Sequence, residues 1–132
     1  MPTLLDSTAL IDILEDNPGA NTLLEHLKGE AVFTTRINVF EVLVGVYALR
    51  QHVEKKLRDA EQLFLRLNIL ELNEVSAKWA ARIQGSLYQQ GKPIDDTDCL
   101  TAAIALSHGI TKIATRNKKH FEQIKQISVE TY

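Results

Sequence analysis

The chain has 132 residues, of which 45% are hydrophobic and 24% charged, a balance typical of a globular domain. Its single cysteine, Cys99, excludes an internal disulfide and a zinc site built from several cysteines, and it suits a reducing cytoplasm. The net charge of −2 gives no overall attraction for nucleic acid, so such a site would need a local basic patch or metal ions. No apolar run approaches the roughly 20 residues that cross a bilayer, and the first residues lack the basic start of a signal peptide. We therefore expect one cytoplasmic domain over residues 1–132.

The first half of the chain alternates short apolar segments with helical patterns. The first segment predicts a strand, and Ser7 or Thr8 is expected to cap the helix that follows it. In chain order this half predicts a strand, two helices, a second strand and a helix that starts at Asn38: Thr3–Leu5, Ala9–Leu14, Ala20–Leu27, Ala31–Thr35 and Asn38–Tyr47.

The second half begins with an amphipathic helix and continues the alternation. Asn73 or Ser76 is expected to open its second helix, and Asp96 or Thr97 its third. In order it predicts a helix, a strand, two helices, a strand, a short helix and a last strand: Val53–Leu67, Ile69–Leu72, a helix through Leu87, Cys99–His108, Lys112–Thr115, Lys118–Ile124 and Ile127–Val129. Strands that alternate with helices predict an α/β fold, with a mostly parallel central sheet of about four to five strands flanked by helices.

Several polar residues lie at the predicted junctions between strands and helices. Asp6 ends the first strand, Glu41 lies in the first turn after the second strand, and Asp98 opens the helix before the fourth. Thr115 and Asn117 follow that fourth strand. Ligands of parallel sheets bind beyond the carboxyl ends of the strands, where these residues could converge. Mg²⁺ and Mn²⁺ prefer oxygen ligands, and packed carboxylates repel unless a cation or a proton joins them. The sequence therefore predicts a hard-cation site of the kind that can activate water toward a phosphodiester.

Each carboxylate also has a plain structural interpretation. Asp6 can simply cap a helix, and Glu41 can lie at the edge of a helix that is otherwise apolar. Asp95, Asp96 and Asp98 can together favour a helix N-terminus, where the helix dipole stabilises negative charge. Only their combination supports a metal site.

Four motifs occur along the chain in an order that resembles a known family. They are Leu4-Leu5-Asp6-Ser7-Thr8, Asn38-Val39-Phe40-Glu41-Val42, Asp98-Cys99-Leu100-Thr101-Ala102-Ala103 and Ala114-Thr115-Arg116-Asn117-Lys118-Lys119-His120-Phe121. Together they resemble the PIN-domain nucleases, and most closely the VapC-type toxins of bacterial and archaeal toxin–antitoxin pairs. The resemblance covers essentially the whole chain. It implies a single PIN-like domain over residues 1–132 that cleaves RNA with Mg²⁺ or Mn²⁺.

The resemblance also implies roles for individual residues. Asp6, Glu41 and Asp98 match the acidic metal ligands of the family. The fourth acidic position falls on Asn117, where many relatives have aspartate, so we expect one well-held ion and a second recruited mainly by substrate phosphate. The remaining matches are polar residues that orient ligands or water: Ser7, Thr8 and Thr115. Asp95 or Asp96 could compensate for the missing charge.

The implied partners are RNA, a small antitoxin protein and a second copy of the chain. Basic residues beside Asn117 could contact RNA phosphates: Arg116, Lys118 and Lys119, with His120 next to them. A solvated helix face is the alternative for the two lysines. The apolar segment Val39–Leu67 could carry a partner groove or simply a core. A non-catalytic PIN-fold binding module that has lost a working metal site is the alternative to a ribonuclease, because residue 117 is not acidic.

Overall fold

The structure, a computed structural model, describes residues 1–132 as five strands and seven helices. The strands are β1 Thr3–Leu5, β2 Val32–Thr35, β3 Asn68–Leu70, β4 Lys112–Ala114 and β5 Ser128–Glu130. The helices are α1 Ser7–Leu14, α2 Pro18–His26, α3 Arg36–Tyr47, α4 Val53–Leu65, α5 Glu74–Gln89, α6 Asp96–Ser107 and α7 Lys118–Glu122. None of these helices is both long and apolar enough to cross a membrane.

All five strands form one parallel sheet in the order β3-β2-β1-β4-β5. The predicted α/β fold with a mostly parallel sheet is therefore confirmed, and the sheet is parallel throughout. In the centre of the sheet, Leu5 of β1 pairs with Ala114 of β4. The residues that follow them, Asp6 and Thr115, consequently leave the sheet side by side at its carboxyl edge.

The core has two parts, one on each face of the sheet. Leu4 and Leu5 are both fully buried and belong to different parts, because successive side chains of a strand point to opposite faces. Cys99 lies in the first part, where its thiol donates to the carbonyl of Ala80 on α5. Burial raises the pKa of Cys99 to about 11, so this thiol is a packing group, as the alanine-rich sequence around it indicates.

Four helices begin earlier than the sequence predicts, and in α1 and α3 residues at the strand ends provide the caps. The prediction that Ser7 or Thr8 caps α1 is wrong: Asp6 Oδ1 accepts from the backbone N–H of Ala9 at 3.0 Å. Likewise α3 does not start at Asn38, because Thr35 Oγ1 caps it by accepting from the N–H of that residue at 3.2 Å. Helix α2 begins at Pro18 instead of Ala20, and α6 begins at Asp96 instead of Cys99. The prediction that Asp96 or Thr97 caps α6 is wrong, because Asp95 occupies its N-cap position.

Candidate metal centre

Asp6 and Thr115 meet where β1 and β4 end. Thr115 Oγ1 donates to Asp6 Oδ2 at 2.5 Å, and Thr8 Oγ1 donates to Asp6 Oδ1 at 2.7 Å. Thr8 Oγ1 in turn accepts from the backbone N–H of Arg116 at 2.9 Å. The two predicted supporting residues Thr8 and Thr115 thus hold both oxygens of the Asp6 carboxylate in place.

The Asp6 carboxylate is deeply buried. Its residue is only 1% exposed, and this burial raises its pKa to about 6, with a further rise from the nearby charge of Asp98. The hydrogen bonds from Thr115, Thr8 and Ala9 act in the opposite direction but do not compensate. A cation at this position would therefore relieve both the desolvation and the repulsion.

Asp98 lies in the first turn of α6 and is held by two residues of the segment after β4. Asn117 Nδ2 donates to Asp98 Oδ2 at 2.7 Å, and His120 Nδ1 lies 2.5 Å from the same oxygen. Burial raises the pKa of Asp98, although the hydrogen bond with His120 lowers it. In this arrangement the amide of Asn117 orients Asp98, where a fourth carboxylate would repel it.

Glu41 lies on α3, which packs against both α1 and α6. Its Oε1 atom is buried and accepts no hydrogen bond from any residue of the protein. A buried carboxylate oxygen without a donor is costly, and a bound cation is one of the few groups that can satisfy it.

A buried polar network joins the helices that carry Glu41 and Asp98. Asn38 on α3 is fully buried; its Oδ1 accepts from Thr35 Oγ1 at 2.8 Å, and its Nδ2 donates to Thr101 Oγ1 on α6 at 3.3 Å. Because buried polar groups need specific partners, this network holds α3 and α6 in a fixed relative position.

Other predicted site residues lie apart from these carboxylates or have their own partners. Ser7 is buried at the start of α1. Asp96 Oδ1 accepts from Gln84 Nε2 of α5 at 3.0 Å, so it serves the packing of α5 against α6. Of the basic residues, Lys118 forms an ion pair with Glu122 within α7. Lys119 is exposed and forms no ion pair.

Two residues near Asp98 have a lesser role in the sequence prediction: Asp95 is one of two aspartates that could compensate for Asn117, and His120 is not predicted as a ligand. Ligand atoms of Asp95, Asp98 and His120 all lie within 4.8 Å of one another, a grouping that could hold a metal ion. The sequence indicates His120 only as a neighbour of the basic patch. The feature that could have indicated a role in the site is its spacing of three residues from Asn117, since residues so spaced share one face of a helix.

Asp6, Glu41 and Asp98 offer the donor chemistry that a hard divalent cation prefers. The pKa values of Asp6 and Asp98 are raised, and Glu41 has an unpartnered buried oxygen. These three residues are not brought within 4.8 Å of one another as a group, as Asp95, Asp98 and His120 are. Mg²⁺ and Mn²⁺ prefer such oxygen ligands, while His120 adds a nitrogen that Mn²⁺ accepts more readily than Mg²⁺.

Comparison with known proteins identifies the family. A family model of the PIN domain matches residues 3–127. The chain belongs to the PIN domain family. This PIN domain is 30% identical over 129 residues to Ribonuclease VapC1 of Methanocaldococcus jannaschii, covering 98% of this chain and 85% of that protein. It is also 28% identical over 126 residues to Ribonuclease VapC1 of Haemophilus influenzae strain R2866, with 94% and 92% covered.

Solved structures show the same fold for this PIN domain. VapBC-1 from nontypeable Haemophilus influenzae is similar with a TM-score of 0.83 and 27% identity, over 99% of this chain and 98% of that chain. VapBC2 from Rickettsia felis, bound to a DNA fragment from its promoter, gives a TM-score of 0.90 at 21% identity, over 100% and 99%. The resemblance to PIN-domain and VapC proteins that the four motifs predicted is thus confirmed.

Proposed function

We propose that this PIN domain is a Mg²⁺- or Mn²⁺-dependent endoribonuclease that acts as the toxin of a toxin–antitoxin pair in the cytoplasm. The observation that carries the proposal is the strained state of the carboxylates after the strand ends: burial raises the pKa of Asp6, and Glu41 has a buried oxygen that accepts no hydrogen bond. The substrate class comes from the relatives, since both curated proteins named above are ribonucleases.

In this proposal Asp6, Glu41 and Asp98 hold the metal. Thr8 and Thr115 orient Asp6, and Asn117 and His120 orient Asp98. A divalent cation held there would supply an activated water and stabilise charge in the in-line hydrolysis of a phosphodiester to a 5′-phosphate and a 3′-hydroxyl. Because Asn117 donates to Asp98 instead of adding charge, the site has three carboxylates, and substrate phosphate completes it.

The proposed protein partners are a small antitoxin and a second copy of the chain. The names of the similar structures, VapBC2 and VapBC-1, indicate that each contains VapB together with VapC. Helix α3 has three exposed apolar side chains at helical spacing, Phe40, Val44 and Tyr47. These are exposed by 60%, 52% and 62%, so part of the apolar segment Val39–Leu67 is available to a partner and does not belong to the core.

Metal removal tests the proposed activity. We expect the antitoxin-free chain, stripped with EDTA, to leave RNA uncut, because carboxylates alone supply no activated water. Adding Mg²⁺ or Mn²⁺ in excess restores cleavage, followed by gel electrophoresis of a labelled RNA. Undiminished cleavage in EDTA would contradict the metal-dependent mechanism, and no cleavage with either metal would favour the non-catalytic binding module.

A further inference from the structure

A buried carboxylate holds the side chain of Arg116 beside the candidate metal centre. Asp12 on α1 is only 6% exposed, and its Oδ2 lies 2.6 Å from Arg116 Nε. The Arg116 side chain is nevertheless 58% exposed. The ion pair with Asp12 therefore restrains a guanidinium group that is largely open to solvent.

Tyr132 contacts the same oxygen of Asp12. Its hydroxyl donates to Asp12 Oδ2 at 2.6 Å. Burial and the hydrogen bond to Asp12 raise the pKa of Tyr132 well above its ordinary value, so the group stays a protonated donor. Asp12 and Tyr132, here called the Arg116 brace, thus connect α1 and the segment after β5 to the segment after β4.

The backbone of Arg116 is anchored to the metal centre as well. The residue stands between Thr115 and Asn117, and its N–H donates to Thr8 Oγ1. Thr8 and Thr115 both donate to Asp6. The terminal nitrogens of Arg116 form no hydrogen bond with the protein. The two terminal nitrogens of Arg116 are therefore free to donate, and Arg116 directly adjoins Thr115 and Asn117, two polar residues of the site.

We propose that the Arg116 brace aims these terminal nitrogens at a backbone phosphate of the RNA, which they bind as a two-donor fork. Arginine suits this task because its charged planar group can pair with Asp12 at Nε and keep its two terminal nitrogens for phosphate oxygens. Holding the side chain in place before binding lowers the entropic cost of the contact. The inference rests on the proposed function for the identity of the ligand as RNA.

Binding of a fluorescein-labelled oligouridylate by the EDTA-treated chain tests the brace without requiring cleavage. We expect Arg116→Gln to weaken binding about five- to tenfold and to lower the slope of log affinity against log salt by about 0.7, the value for one single-strand phosphate contact. Tyr132→Phe and Asp12→Asn should each weaken binding as well. The direction of the change in RNA affinity is informative for Asp12→Asn, because loss of a negative charge would by itself strengthen RNA binding.

Double variants show whether the brace acts through Arg116. In an Arg116→Gln background, Tyr132→Phe and Asp12→Asn should cause no further loss of affinity, whereas a general effect on folding would weaken both backgrounds alike. Lys55→Gln removes an exposed, ion-paired lysine of α4 and should leave binding unchanged. Unchanged or stronger binding by Asp12→Asn and Tyr132→Phe, or no measurable binding by the wild type, would overturn the brace. If the wild type fails to cut RNA with Mn²⁺ while the binding pattern holds, the proposed function fails and the brace stands.

Discussion

Replacing Asp6 with asparagine is expected to abolish RNA cleavage while the fold survives. The substitution removes the charge of the most deeply buried carboxylate of the site and leaves a residue that is equally good at the N-cap of α1. Loss of the metal-bound charge stabilisation, which is worth several kcal/mol, corresponds to a rate at least about 10³-fold lower. Cleavage of labelled RNA with Mn²⁺ measures the activity, and circular dichroism measures the fold.

Asp16→Asn is the matched control for this substitution. Asp16 is an exposed aspartate just after the same helix, with a positive φ of 57° that asparagine tolerates well. We expect Asp16→Asn to cleave RNA at the same rate as the wild type. Full activity of Asp6→Asn would show that this carboxylate is not part of the catalytic centre.

The second large effect is a pH-dependent loss of stability that comes from Asp6 in the metal-free protein. Its pKa is raised from 3.8 to about 6 in the folded chain, so the folded state binds the proton more tightly than the unfolded state. The stabilisation is fully present below pH 3.8 and is lost as the pH rises through about 6. A rise of this size corresponds to about 3 kcal/mol, with a raised pKa of Asp98 acting in the same direction.

Urea denaturation in EDTA measures this effect against Asp6→Asn, which has no proton to exchange at this site. At pH 4 the variant and the wild type should have similar free energies of unfolding. At pH 7 we expect the variant to be more stable, by about 3 kcal/mol, and Mn²⁺ to stabilise only the wild type. A difference in stability that does not change with pH would mean that the Asp6 carboxylate is not desolvated in the folded chain.

The alternation of short apolar segments with helical patterns was sufficient to predict the sheet. All five strands lie within one or two residues of their predicted ranges, because three to four apolar or β-branched residues between turn-forming residues leave little choice of position. The helix starts were harder to predict. Asp6, Ser7 and Thr8 can all cap a helix, and only the end of β1 at Leu5 decides in favour of Asp6.

The candidate site was predictable where it depends on the strand ends and unpredictable where it depends on distant contacts. Asp6 and Thr115 meet because β1 and β4 are parallel neighbours, which the general rule for ligand sites in parallel sheets anticipates. The contact between Tyr132 and Asp12 joins residues 120 positions apart. Neither residue belongs to a motif, so no pattern in the sequence indicates that Tyr132 and Arg116 meet at the same oxygen of Asp12.

We propose that Asp6, Glu41 and Asp98 together hold a divalent cation. Calorimetric titration of Mn²⁺ into the metal-stripped, antitoxin-free chain measures this directly. We expect heat from a binding site in the wild type that is lost in Asp6→Asn and Asp98→Asn and strongly weakened in Glu41→Gln. Binding of equal affinity in all four proteins, or no binding by the wild type even at millimolar Mn²⁺, would contradict the claim.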